Sequence, residues 1–129
     1  MTSHLLAPIF ISSAQLPRLE KMATGLEARD PRLADVLLTE LARASVLAEA
    51  EMPKDVVRVG SRLSYRDAEQ EQAQSVELVW PEEADISLGR ISVLTPLGTA
   101  LLGLRAGDAF FWETRNGAQR QLKIVEVQH

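Results

Sequence analysis

The side chains able to do chemistry are few and scattered. His4 and His129 lie at opposite ends of the chain, and there is no cysteine. A paired-histidine metal site, a thiolate site or a nucleophile–histidine relay therefore has almost no material. Carboxylates offer slightly more. Glu27 and Asp30, with Asp35 a little further on, provide the oxygen ligands that hard cations favour. Asp30, however, precedes Pro31 as a helix N-cap would, and Arg29 and Arg32 interleave the opposite charge. Glu82, Glu83 and Asp85 follow Pro81 with a spacing that matches no metal-binding loop. Gly98, Gly103 and Gly107 are not followed by the Lys-Ser/Thr pair of a phosphate-binding loop, and read as turn glycines. The aromatic run Phe110-Phe111-Trp112 reads as core with a half-exposed partner. No catalytic residue, metal or cofactor is expected from this inventory.

Composition bounds the rest. With 129 residues, 46% of them hydrophobic, the chain suits one globular domain, or a small domain with an appendage, and can bury a core without staples. Absence of cysteine fits a reducing compartment, and the cytoplasm is the expected location. The net charge is −4, with 14 basic and 18 acidic residues spread along the chain, so no polybasic stretch tracks a phosphate backbone and direct nucleic-acid binding is not expected. The apolar start, Leu5 to Ile11, is too short to span a bilayer and has no basic flank. It is read as part of the fold, with no membrane partner.

The elements follow from periodicity. Ala7 to Ser12 has strand-like residues, after which Leu16, Leu19, Met22 and Leu26 recur at helical spacing. Asp30-Pro31 restarts the chain as N-cap and first helical residue of a second helix expected to run to about Glu49. Its Ala34, Leu37, Leu41, Ala44 and Ala48 have the spacing of a coiled-coil seam. Two helices so close in sequence fold back as a hairpin, and an arm of about 20 residues reaches about 30 Å. Pro53 ends this half, and the period changes from 3.6 to 2. Strands are expected at Asp55–Val59, Arg62–Arg66, Gln74–Trp80, Arg90–Leu94, Phe110–Thr114 and Gln121–Val127, with polar loops at Asp67–Ala73 and Pro81–Gly89. Asn116-Gly117 suits a type I′ turn between the last two strands. In the final strand Leu122 and Ile124 point to one face, and Val125 and Val127 to the other.

The stretch Ile91 to Asp108 joins these parts. Thr95 stands as N-cap with Pro96 at the first helical position, and Gly103 supplies a left-handed C-cap before Ala106-Gly107-Asp108 turns the chain into the next strand. The run SVLTPLGTALLGLRAGD, followed by an aromatic strand and Asn-Gly, resembles the C-terminal domain of the Gre transcript-cleavage factors. Over most of its length, through IFIS, ADVLLTELARA, EMPKDVVRVGSRLSYRD and VELVWPEEAD, the chain is similar to the Rnk group of that superfamily, regulators of nucleoside diphosphate kinase.

That resemblance implies an α+β fold: an N-terminal antiparallel helical hairpin, a short coiled coil, over residues 1–52, then an FKBP-like antiparallel sheet with one short helix over 53–129. It implies a monomeric, non-enzymatic regulator that docks on bacterial RNA polymerase at the secondary-channel entrance and competes with Gre factors. Leu94, Thr95, Pro96, Leu97 and Gly98 match the Gre polymerase-binding turn. Gre factors stimulate cleavage through acidic residues at the tip of a long hairpin. The matching tip here, Glu27, Arg29 and Asp30, lies on a shorter arm and mixes charges, so cleavage is not expected. Two alternatives remain open. An FKBP-like sheet suits a peptidyl-prolyl isomerase, with Tyr65, Trp80, Phe110 and Trp112 as its aromatics, and the Rnk name suits direct contact with a nucleoside diphosphate kinase.

Overall fold

The computed structural model describes residues 8–67, 70–113 and 119–128. A short strand β1 (Phe10–Ser12) leads into helices α1 (Leu16–Leu26) and α2 (Pro31–Arg43), which fold back on each other, and then into strand β2 (Ser45–Leu47). Strands β3 (Arg62–Asp67), β4 (Gln74–Val79) and β5 (Arg90–Ser92), helix α3 (Pro96–Leu101), and strands β6 (Ala109–Glu113) and β7 (Gln119–Gln128) complete the chain. The expected α+β architecture, a helical hairpin followed by a sheet crossed by one short helix, is the one observed.

Both hairpin helices start as their sequences dictate. Pro17 lies in the opening turn of α1, where a missing N–H costs nothing, and Asp30 caps α2 by accepting the Leu33 N–H at 3.1 Å with Pro31 behind it. The helices are 11 and 13 residues long, about 17 and 20 Å, so the arm is shorter than expected. The second helix ends at Arg43, not near Glu49, because strand β1 needs a ladder partner. Ala44 turns extended and Ser45–Leu47 pairs in parallel with Phe10–Ser12. Ser45 N–H donates to the Ile9 carbonyl at 3.0 Å, and Ser13 N–H donates to Leu47 at 2.8 Å. Ala44 and Ala48 therefore fall outside the helical seam.

The main sheet runs β5-β4-β3-β7-β6, antiparallel except for the β4–β5 pair. The expected strand Asp55–Val59 is not one. Val56 and Val57 are consecutive and both fully buried, which breaks any period of two. This segment instead lies against the chain leaving α3, with Val57 N–H on Leu104 O and Gly103 N–H on Val57 O, both at 2.8 Å. The loop Pro81–Gly89 is more ordered than expected, holding two 3-10 turns, Pro81–Glu83 and Ile86–Leu88. Strands β4 and β5 stop earlier than expected, at Val79 and Ser92. The Asn116-Gly117 turn lies outside the described residues.

In β7 the expected split of Leu122 and Ile124 from Val125 and Val127 is altered by a bulge. Ser64 pairs with Glu126 and Tyr65 with Ile124, so Val125 is the extra residue. The shift puts Leu122, Ile124 and Val127 on the same inner face as Leu63 and Tyr65, while Val125 is exposed.

One core runs through both halves of the chain. Leu19 and Ala23 of α1 and Leu37 and Leu41 of α2 join Val57, Leu63, Leu78, Leu101 and Ile124. The Gln15 amide reinforces this join, donating to the Val59 carbonyl at 2.9 Å and accepting its N–H at 3.2 Å. No described helix is long and apolar enough to cross a membrane.

Candidate functional site

The turn from Ser92 to Gly98 is built by short-range hydrogen bonds around one threonine. Val93 N–H bonds the Val79 carbonyl at 3.0 Å, which fixes the end of β5 to β4. Beyond it the Thr95 hydroxyl donates to Ser92 O at 2.7 Å and accepts the Gly98 N–H at 3.0 Å, so it closes the turn and caps α3 together. The Ser92 hydroxyl accepts the Leu94 N–H at 3.0 Å, and buried Thr99 donates to Val93 O at 2.9 Å. Few torsions in this stretch remain free.

Gly98 lets α3 sit this close to β5. A Cβ placed on it would lie 2.2 Å from the Ser92 carbonyl oxygen and 2.9 Å from Val93 Cα. Gly103, at φ 84°, provides the left-handed exit from the helix, and there a Cβ would meet Ile9 Cβ at 2.8 Å.

The five residues of this turn have different surroundings. Pro96 is exposed, Leu94, Thr95 and Leu97 are half-buried, and Gly98 is buried. Leu97 rests on the main core. Leu94 touches that core and also a smaller cluster of Leu26, Leu33 and Ala34. Those residues flank the hairpin tip, so the tip lies beside the Leu94–Gly98 turn, a juxtaposition with no signal in the sequence. At the tip Glu27, Arg29 and Asp30 are all exposed, with the backbone N–H groups of Arg29 and Asp30 on Leu26 O at 3.0 and 2.9 Å. Among the described residues no three acidic or histidine side chains gather as metal ligands would.

Of the aromatics named for an isomerase pocket, Tyr65, Phe110 and Trp80 are committed elsewhere, and the Trp112 side chain lies outside the described residues. Tyr65 is buried, and its hydroxyl donates to Gln74 Oε1 at 3.2 Å, while burial pushes its pKa up. Phe110 packs against the core. One face of Trp80 is covered by the Arg18 guanidinium, 4.0 Å from the ring centroid. Arg18 also pairs with Glu82, whose carboxyl is held below the usual range by its own backbone N–H and then by Arg18. This clamp fastens α1 to the loop after β4, and no sequence pattern links its partners.

Arg18→Ala should lower stability by about 0.5–1 kcal/mol through loss of the stacking on Trp80. The Glu82 contribution has a definite sign. A carboxyl with a lowered folded pKa stabilises above its unfolded pKa, and that contribution is lost as pH falls through the folded value. Thermal melts of the two proteins should therefore differ most at neutral pH and draw closer in acid, where the lost stacking on Trp80 still separates them.

Comparison with known proteins agrees with this architecture. Residues 52–129 match the family described as transcription elongation factor GreA/GreB, C-terminal, and residues 8–47 match the Rnk N-terminus. The regulator of nucleoside diphosphate kinase of Escherichia coli K12 is 38% identical over 97 residues, 75% of this chain and 71% of that protein. Transcription elongation factor GreA of Rhodospirillum rubrum is 34% identical over 94 residues, 73% of this chain and 57% of that protein. A solved GreA/GreB elongation factor from Nitrosomonas europaea superposes with a TM-score of 0.80 at 37% identity, covering 94% of this chain and 99% of the other. With residues 52–129 matching one family model, residues 8–47 the other, and the fold shared over 94% of the chain, the chain belongs to the GreA/GreB transcription elongation factor family, in the group that carries the Rnk N-terminal segment.

Proposed function

We propose that the protein regulates transcription by docking the turn Leu94–Gly98 on bacterial RNA polymerase at the secondary-channel entrance. There it competes with Gre-type factors, stimulates no transcript cleavage, and performs no catalysis of its own. The observation that carries this reading is the turn itself, in which Pro96 stands exposed on a backbone locked by Thr95 and Gly98. A rigid apolar element loses little conformational freedom on binding, so a small patch can bind usefully.

Blocking is favoured over catalysis by the hairpin. Its helices are only 11 and 13 residues long, its inner face is packed into the core, and Asp30 is occupied as a cap. Placing a metal and a water in a distant active site needs reach and free carboxylates. A second reading, direct contact with a nucleoside diphosphate kinase, rests on the name of the 38% identical E. coli protein.

The test uses purified polymerase and backtracked elongation complexes. The protein should bind, be displaced by a Gre factor, and slow the cleavage that the Gre factor stimulates while adding none. No binding at micromolar protein overturns the reading, as does stimulated cleavage that disappears in Asp30→Ala. A pull-down from lysate that retains the kinase and not polymerase selects the second reading.

A further inference from the structure

The outer face of the main sheet, opposite the core, is open to solvent and has an unusual charge pattern. Strand register places Arg66 directly opposite Lys123, and Lys123 directly opposite Ala109. Like charges in that position repel and weaken a sheet. Neither cation has a carboxylate partner among the described residues, and Arg66 donates instead to the Gln70 carbonyl at 3.0 Å. Of the acids on this face, Glu77 lies between Arg62 and Arg90 at 4.0 and 3.7 Å, and Glu126, opposite Ser64 and so diagonal to Arg66, accepts from Gln128 Nε2 at 3.3 Å.

Phe111, 56% exposed, lies on the same face, two residues from Ala109 along β6. It is thus the diagonal neighbour of Lys123, about 7–8 Å away, with Ala109 and Gln121 at the other two corners. Lys123 beside the ring, with Arg66 one strand further on, matches the flat base and the adjoining anion of one nucleotide. An acidic protein segment would satisfy the cations and leave the ring unexplained.

We infer that this face binds single-stranded nucleic acid, with a base stacked on Phe111 and the adjoining phosphate held by Lys123 and Arg66. Stacking on an aromatic ring is tolerant of sequence, so strands of any base composition bind. The net charge of −4 keeps the affinity low and salt-sensitive. This surface is separate from the Pro96 turn and does not rest on polymerase docking.

The test is fluorescence anisotropy of a short, mixed-sequence, fluorescein-labelled RNA strand titrated with the full chain. The expected dissociation constant is on the order of 10⁻⁵ M, and two phosphate contacts give a slope of about −1.4 for log K against log salt. Phe111→Ala should weaken binding about tenfold and Phe111→Trp should restore it. Lys123→Glu should weaken binding and flatten the salt slope, whereas Arg32→Glu on the hairpin should leave both unchanged. Circular dichroism confirms that each variant is folded. No anisotropy change at protein concentrations of about 10⁻⁴ M overturns the inference. So does competition by poly-glutamate as strong as by RNA, combined with indifference to Phe111→Ala, because the face then takes an acidic protein segment.

Discussion

Gly98→Ala should lower the unfolding free energy by about 3 kcal/mol or more, toward the upper end of what overpacking costs. The added methyl would sit 2.2 Å from Ser92 O, a backbone atom already accepting bonds from the Thr95 hydroxyl and the Thr95 N–H. Neither partner can yield without opening the turn, since Val93 is tied to β4 and Thr99 bonds its carbonyl. Against a total of roughly 5–15 kcal/mol for a domain, this is a large share. Urea unfolding should show the midpoint falling at constant slope. The same substitution at Gly25 provides the contrast. That glycine lies inside α1 with nothing within 4 Å of a Cβ, so Gly25→Ala should stabilise by about 0.5–1 kcal/mol. If Gly98→Ala proves as harmless as Gly25→Ala, the packing of α3 on β5 described above is wrong.

Pro96→Asp should leave the fold intact and weaken binding to polymerase by about thirtyfold or more. Pro96 is exposed and occupies the first turn of α3, where an acidic residue is well tolerated. The melting temperature should therefore change little. At an interface the same substitution removes an apolar contact and buries an unpaired charge. A loss of about 2 kcal/mol or more is typical of a central contact, about thirtyfold in affinity. Competition against a labelled Gre factor on core polymerase measures it directly. Affinity within threefold of the parent would remove this turn from the interface. Leu94 is a poorer probe, because it also packs on Leu26, Leu33 and Ala34 and its loss would loosen the hairpin.

Much of this molecule was legible in its residues. The Asp30-Pro31 and Thr95-Pro96 pairs each combine a side chain that caps with a ring that can only begin a helix, and both helices start there. Gly103 marks the exit from α3 because a positive φ is open chiefly to glycine. Local rules failed where a distant partner set the outcome. Ser45–Leu47 had a helical neighbourhood, yet it pairs with Phe10–Ser12 because an isolated strand leaves its backbone groups unsatisfied. Val125 is a bulge only in relation to the register of β3 against β7.

The same division holds for the candidate site. Amino-acid types alone determined the capped turn and the scarcity of catalytic side chains, since these depend on neighbours a few residues away. Tertiary structure decided that the hairpin tip lies beside that turn, that Arg18 covers Trp80, and that Gly98 touches Ser92. It also placed Arg66 opposite Lys123, turning dispersed charge into a local cationic face. The physical reason is common to all four. Each contact joins atoms whose proximity is set by packing and strand register, and neither quantity is encoded in any short stretch of the chain.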